Sequence, residues 1–229
     1  MEIKVLRDIL GANELIAHQN RQIFDRYGVY VINLMASPGA GKTSLLERTL
    51  EGLGEELRMG VITGDVATHL DAERLKRYGV PVLQINTDGE CHLEARMIRR
   101  ALDDFDLQGL DVLFIENVGN LICPAEFVLG ADSRVMILST PEGDDKPEKY
   151  PLMFRQSRVL VINKIDLLGM VDFDLERAKA RALSINPELT VLPLSCRTGE
   201  GLEAWFDWLR GEIASPAGES AFDYSPRSR

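Results

Sequence analysis

Seven short apolar runs recur along the chain, most of them separated by stretches in which apolar residues fall three and four apart. The runs are Val29–Met35, Arg58–Thr63, Pro81–Ile85, Asp111–Glu116, Arg134–Leu138, Val159–Asn163 and Leu189–Leu194. Short, nearly continuous hydrophobicity of this kind suits strands buried on both faces. Helical periodicity occupies Asp71–Tyr78, Leu93–Phe105, Leu175–Ile185 and Leu202–Arg210, and a further amphipathic run opens at Ser44-Leu45-Leu46. Strands alternating with helices predict an α/β fold, a mostly parallel β-sheet with helices on both faces in a three-layer sandwich. Ligands of such sheets sit at the carboxyl ends of the strands.

Ahead of the first strand, the segment through Tyr27 carries a helical pattern. Leu15, Ile16, Ile23, Phe24 and Tyr27 fall near one face, with Asn13, Glu14, Gln19, Arg21 and Asp25 largely elsewhere. Gly28 is placed to cap this helix, which packs on the domain or contacts a second copy. After Gly211 the composition turns to Pro, Ser, Gly and charge, predicting a flexible tail. The expected organisation is an N-terminal helical segment at 1–28, one domain at 29–211 and a tail at 212–229.

With 229 residues, 45% of them hydrophobic and 27% charged, the chain can bury the core of one α/β domain with additions. A net charge of −10 argues against partners with a phosphate backbone, so no nucleic acid is expected. Nucleotides remain open, because a local nest of N–H groups binds phosphate whatever the global charge. There is no apolar run long enough to span a membrane, and Met1–Leu10 lacks a secretory pattern. Three cysteines make no disulfide framework, so a cytoplasmic location with reduced thiols is expected.

The strongest chemical signal is Ser37-Pro38-Gly39-Ala40-Gly41-Lys42-Thr43, which follows a strand and opens a helix. Its glycines let the backbone curl so that N–H groups face phosphate, and the helix N-terminus adds partial positive charge. Lys42 would reach the β- and γ-phosphates and the Thr43 hydroxyl would ligate Mg²⁺. Gly39, Ala40, Gly41 and Ser44 complete the phosphate-binding set. The full Gly-x-x-x-x-Gly-Lys-Thr pattern asks for glycine where Ala36 stands.

Val159–Asn163 runs into Asn163-Lys164-Ile165-Asp166, the pattern of a guanine-reading element. One carboxylate, Asp166, can accept both guanine N1–H and the exocyclic amine; adenine leaves it unpaired. Asn163 would hold the loop or contact the purine edge, and the Lys164 stem would cover the base. After the last strand, Ser195-Cys196-Arg197 matches a Ser-Ala-Lys base loop with Cys for Ala and Arg for Lys. Together these three elements indicate GTP.

Where Ras-like GTPases carry Asp-x-x-Gly, this chain has Glu116-Asn117-Val118-Gly119, continuing to Cys123-Pro124. With Gly64-Asp65-Val66-Ala67-Thr68, Asp71-Ala72-Glu73-Arg74, Cys91-His92 and Glu142-Gly143-Asp144-Asp145-Lys146-Pro147, the stretch from Ala12 to Arg210 resembles the nickel-incorporation GTPases of hydrogenase maturation. These belong to the hydrogenase/urease-maturation branch of the SIMIBI-class P-loop GTPases; a urease-type relative would show Cys-Pro-His in place of adjacent Cys91-His92. The resemblance implies GTP hydrolysis, with Asp65 and Glu116 organising Mg²⁺ and the attacking water and the Gly119 N–H sensing the γ-phosphate; among Asp65, Asp71 and Glu116, the sequence leaves open which acts on the water. It also implies a GTP-favoured homodimer, a nickel-binding accessory protein and the hydrogenase large-subunit precursor as partners.

Cys91, His92 and Cys123 are soft or borderline donors suited to Ni²⁺ or Zn²⁺. Spacing alone leaves a structural role open; the resemblance makes all three metal ligands. It implies no separate storage site, since no cysteine precedes Cys91 and His18 is alone before His69. His18 is read as a surface helix residue, His69 as a loop residue near metal or nucleotide, and Lys146 as a contact across subunits in a polar surface loop, Thr140–Pro151. Two other readings share these motifs: a P-loop kinase, and a passive metal-binding module with a structural nucleotide.

Overall fold

The computed structural model describes the backbone of residues 2–65 and 70–214, and the side chains of 9–65 and 71–214. In chain order the elements are α1 (Glu2–Tyr27), β1 (Tyr30–Ala36), α2 (Lys42–Leu53), β2 (Met59–Asp65), α3 (Leu70–Lys76), β3 (Val82–Asn86), α4 (Ala95–Ala101) and β4 (Val112–Glu116). There follow α5 (Cys123–Glu126), β5 (Ser133–Ser139), α6 (Lys146–Lys149), α7 (Pro151–Gln156), β6 (Val159–Asn163), α8 (Leu175–Ile185), β7 (Thr190–Pro193) and α9 (Leu202–Ala214). Single 3-10 turns lie at Thr140–Glu142 and Ile165–Leu167.

Among the described residues, seven strands form one parallel sheet in the order β3-β2-β4-β1-β5-β6-β7. The interior strands β4 and β6 are buried along their whole length, whereas the edge strands β3 and β7 are only partly so. That gradient is the cause of the near-continuous apolar runs: a strand covered on both faces has no polar side to show. Along β1, Ile32, Leu34 and Ala36 pack with Leu45, Leu50, Trp205 and Leu209 of α2 and α9. Val31 points the other way, into a cluster with Phe24, Ile98 and Leu129. Met35 joins Phe154, Ala178 and Ala182. Each such side chain contributes about 1.5–3 kcal/mol by leaving water.

The parallel order puts β2, β4, β1, β5, β6 and β7 carboxyl ends along one edge. Asp65, Glu116, the phosphate loop, Ser139, Asn163 and Ser195 therefore arrive together from distant parts of the chain.

Three expectations need correction. The buried face of α1 is only partly the apolar one anticipated: Phe24 is buried and Ile16 and Ile23 pack against the core, but Leu15 and Tyr27 are 63% and 49% exposed, while Asn13, Ala17, Asn20 and Arg21 are buried. The inward polar groups are there because they satisfy backbone of other segments. Asn13 bridges Val128 O and Ala95 N, both at 2.8 Å, and Asn20 donates to Ala95 O and Leu129 O. Gly28 does end the helix, at φ 66°. Second, Glu212, Ile213 and Ala214, expected to begin the tail, form the last turn of α9, where Glu212 accepts from Tyr30 and Arg158. Residues 215–229 lie outside the described residues. Third, the stretch read as the surface loop Thr140–Pro151 holds the 3-10 turn, α6 and the start of α7. Its buried Asp144 accepts hydrogen bonds from Arg177 and Arg181 of α8, an anchor the charged composition concealed.

Candidate nucleotide and metal site

The loop from Ser37 to Gly41 leaves β1 and enters α2 at Lys42. Gly41 has φ 108°, and a Cβ there would stand 2.3 Å from Asn163 Nδ2, so both conformation and space require glycine. Ala36, where the pattern asks for glycine, is the last β1 residue and lies wholly within the core. A cleft of about 480 Å³ opens over the loop, lined by Gly39, Lys42, Thr43, Ser44, Asp65, Glu116 and Gly119 among others.

Glu116 ends β4, in register with Leu34 of β1 and Thr63 of β2. Its Oε1 accepts from the Thr43 hydroxyl at 2.8 Å, while Oε2 is buried with no partner. Burial raises the Glu116 carboxyl to about 7, against the opposing pull of Lys42 and the Thr43 hydrogen bond. Burial likewise lowers the Lys42 ammonium, resisted by Glu116, Asp71, Glu142 and Asp65. A half-satisfied buried carboxylate beside a hydroxyl is the donor set of a hard cation, and an ammonium beside a glycine-rich loop suits phosphate. Gly119 lies against the phosphate loop: a Cβ on it would meet Pro38 at 3.0 Å.

A second cleft, of about 540 Å³, shares Gly39, Gly41 and Ser44 with the first and continues to Asn163, Lys164, Asp166, Cys196 and Arg197. Asn163 is its hub. Nδ2 donates to Ala40 O at 2.9 Å, and Oδ1 accepts from Lys164 N and Cys196 N. These bonds tie the phosphate loop to the base loop. Lys164 adopts φ 64° and extends its amine to Gly39 O, 2.7 Å away. Ser195 Oγ donates to Asp166 Oδ1 at 2.6 Å and accepts from Arg197 N and Thr198 N, fixing the carboxylate and the loop together. The Cys196 thiol is buried and pushed up to about 12 by that burial, an inert packing group.

The third feature lies beside the first. Cys91 and His92 occupy the turn between β3 and α4, and Cys123 is the first residue of α5. The Cys91 thiol points at Cys123 Sγ from 3.0 Å, and His92 Nδ1 lies 3.8 Å from Cys91 Sγ. Potential ligand atoms of the three all fall within 4.8 Å of one another. Phe127 packs on the imidazole at 4.0 Å between ring centroids, and His92 Nε2 is buried without a hydrogen bond. Burial lowers the His92 ring, opposed by Glu94 and Glu90, so the neutral ligating form is favoured. The Cys123 thiol is raised, first by the Cys91 hydrogen bond and then by burial. His18 is exposed on α1; Val66, Ala67, Thr68 and His69 lie outside the described residues.

Several participants were not singled out from the sequence. Arg48 of α2 donates to Cys196 O at 2.7 Å and to Arg197 O, gripping the base loop by its carbonyls. Glu142 Oε1 accepts from Ser139 N and Oγ, and its Ser-x-x-Glu spacing was a readable capping signal. Arg74 lines the phosphate cleft while tied to Glu47 and Asp71. Arg48 carries no sequence signal, because its base-loop partners lie 148 and 149 positions away; Arg74 belongs to the quoted Asp71–Arg74 motif, but its pairing with Glu47 was not visible there.

A glycine-rich loop between β1 and α2, with acids at the ends of β2 and β4 and a second cleft beside it, defines a P-loop nucleotide-binding protein. Residues 30–193 match the family described as CobW/HypB/UreG, nucleotide-binding domain. A "Hydrogenase maturation factor HypB" of Rhizobium leguminosarum bv. viciae is 47% identical over 94% of this chain and 72% of its own length. The crystal structure of HypB from Archaeoglobus fulgidus aligns with TM-score 0.84 and 43% identity, covering 89% of this chain and 99% of that one. HypB from Helicobacter pylori, solved in complex with nickel, aligns with TM-score 0.84 and 37% identity over 88% of this chain and 95% of that chain. The chain belongs to this family and, within it, to the HypB hydrogenase maturation factors. Among the described residues, no helix is long and apolar enough to cross a membrane.

Proposed function

We propose that this chain hydrolyses GTP in order to bind and release nickel for the maturation of [NiFe]-hydrogenase. The observation that carries the reading is the continuity of one short segment. It begins at Glu116 in the phosphate cleft, passes Gly119 against the phosphate loop, and ends at Cys123 in the thiol–imidazole cluster. A change at the γ-phosphate then acts on a metal ligand through only a few residues.

In this reading Gly39, Ala40, Gly41, Lys42, Thr43 and Ser44 cradle the phosphates. Asp166, one oxygen pinned by Ser195, accepts the two guanine donors; Lys164 and the Cys196–Arg197 backbone frame the base. Thr43, Asp65 and Glu116 would hold Mg²⁺, which supplies positive charge to the β- and γ-phosphate oxygens. Asp65 and Glu116 orient the attacking water, and the Gly119 N–H reports the γ-phosphate. Nickel is cargo, taken by Cys91, His92 and Cys123, with zinc a competing ion. Three ligands leave a coordination position open, or shared between two copies, as suits a metal that must be passed on. GTP favours the homodimer. The metal comes from a nickel-binding accessory protein and goes to the hydrogenase large-subunit precursor in the cytoplasm. Residues 29–211 form the working unit, with the 1–28 helix packed on it and α9 extending that unit to Ala214.

The test is sedimentation of the full chain with GTP analogue and nickel each present or absent, alongside GTP turnover with and without nickel. The expected result is dimerisation driven by the GTP analogue, tighter nickel binding in one nucleotide state, and turnover above buffer. Equal affinity for ATP and GTP would point to a kinase instead; absence of turnover in every condition would leave a passive metal-binding module.

A further inference from the structure

One buried side chain ties the phosphate cleft to the metal-ligating turn by hydrogen bonds. Asn117 follows Glu116 directly and is 1% exposed. Its Oδ1 accepts the Leu93 N–H and its own neighbour's, Val118 N–H, both at 3.0 Å. Its Nδ2 donates to Asn33 Oδ1 on β1 at 3.2 Å, and its backbone N–H donates to Leu34 O at 3.0 Å. Asn117 is thus fastened to the strand that feeds the phosphate loop and, on its other side, to the residue after His92. Leu93 is itself fully buried and packed on β2, where a Cβ on Gly64 would come within 2.7 Å of it. A weaker tie runs parallel, from Asn120 Nδ2 to Cys91 O at 3.4 Å.

An amide in this place is not a packing choice. A buried polar group is unfavourable unless its hydrogen bonds are made, and a leucine would fill the same volume. What the amide adds is one acceptor shared by two backbone N–H groups, one in the phosphate-sensing turn and one in the metal-ligating turn. Hydrogen bonds weaken steeply with distance and angle, so a displacement of one turn is imposed on the other. Hydrocarbon contact at the same place would slide.

We infer that Asn117 is the positioning residue that couples the nucleotide cleft to the Cys91–His92 turn, by holding Leu93 N–H and Val118 N–H on one oxygen. The inference rests on the nickel-handling reading for its purpose, but the transmission it describes requires no metal, which lets the two be tested apart.

The first arm uses the full ¹⁵N-labelled chain without nickel, comparing Mg²⁺ with a GTP analogue against Mg²⁺ with GDP. In wild type the Leu93 amide resonance moves between the two nucleotides; in Asn117→Ala that response disappears. Asn33→Leu removes the side-chain anchor on β1 without unpairing either N–H, so it serves if Asn117→Ala fails to fold, and it weakens the response. Asn117→Asp keeps the acceptor for both N–H groups but cannot donate to Asn33 Oδ1, so it restores the response only in part, as Asn33→Leu leaves it. The second arm titrates nickel in both nucleotide states. Wild-type affinities differ by roughly 5- to 150-fold, the usual range of coupling between sites, and those of Asn117→Ala agree to within about twofold. A Leu93 response that survives both Asn117→Ala and Asn33→Leu overturns the role of Asn117, as does a wild-type Leu93 amide blind to nucleotide. A normal Leu93 response with nickel affinity indifferent to nucleotide upholds the transmission and removes the metal-handling reading.

Discussion

Glu116→Gln should make the empty protein more stable and the working protein worse. Burial raises this carboxyl from its ordinary 4.5 to about 7. Between those values the folded chain keeps a proton that the unfolded chain has lost. This group's contribution to stability therefore falls as pH rises from about 4.5 to about 7 and is constant above. At about 1.4 kcal/mol for each tenfold change in proton affinity, the cost at pH 8 is about 3 kcal/mol. Glutamine keeps the acceptor for the Thr43 hydroxyl and carries no charge. It puts an NH₂ where Oε2 now has no partner, which returns part of the gain, so the expected net is about 1–3 kcal/mol. Urea unfolding of nucleotide-free, metal-free protein at pH 5 to 8 measures it. The wild-type and variant curves should nearly meet at pH 5 and separate by pH 7. A difference independent of pH, or a variant less stable than wild type at pH 8, refutes the reasoning. With Mg²⁺ and GTP analogue present the order should invert, because the proposed cation ligand is gone.

Asp166→Asn should weaken GTP by at least about 100-fold and shift preference to xanthosine triphosphate, read by competition binding; an unchanged preference would take the guanine role from Asp166. Cys123→Ser should lower nickel affinity more than about tenfold with GTP affinity nearly intact, measured by parallel titrations; unchanged nickel stoichiometry would dissolve the three-ligand site. Arg48→Ala should cost about 1 kcal/mol in positioning the base loop, roughly fivefold in the KM for GTP with kcat little changed. Gly41→Ala should abolish nucleotide binding, since its Cβ would stand 2.3 Å from Asn163 Nδ2, and calorimetry with GTP analogue checks it.

The strands were legible because burial on both faces leaves an unbroken apolar run; Val159–Asn163 matches its predicted bounds to the residue. The motifs were legible for a related reason. Phosphate and guanine restrict their contacts to a few residue types at short spacing, and short spacing is visible in one dimension. Residues whose partners lie far along the chain were not. Asn13 reads as a solvent-face residue of α1, yet it spans Ala95 and Val128. Nothing near Arg48 announces carbonyls nearly 150 positions later. Charge misled at Asp144, because a buried acid with two arginines has the composition of a surface loop. Cys91 and Cys123 are the intermediate case: their chemistry was visible, but their meeting across 32 positions is a product of the sheet order that sets β4 beside β2.

That same order bears on how, in the proposed function, two metals of different character would be handled a few residues apart without exchange. The acceptor groups converging on the phosphate cleft are oxygens, Thr43, Asp65 and Glu116 among them. At the other end of the segment they are sulfur and imidazole nitrogen. Hard Mg²⁺ gains little from thiolate, and nickel gains more from sulfur and nitrogen than from carboxylate oxygen, so each donor set selects its own ion. The carboxylates of Glu90 and Glu94 form a second group around His92, and Arg96 pairs with one oxygen of each. Coupling then needs no shared ligand. It needs only a stiff connection between two chemically separate sites, and a segment pinned at Glu116 by Thr43, at the next residue by Asn117 and at its far end by the Cys91 thiol has that stiffness.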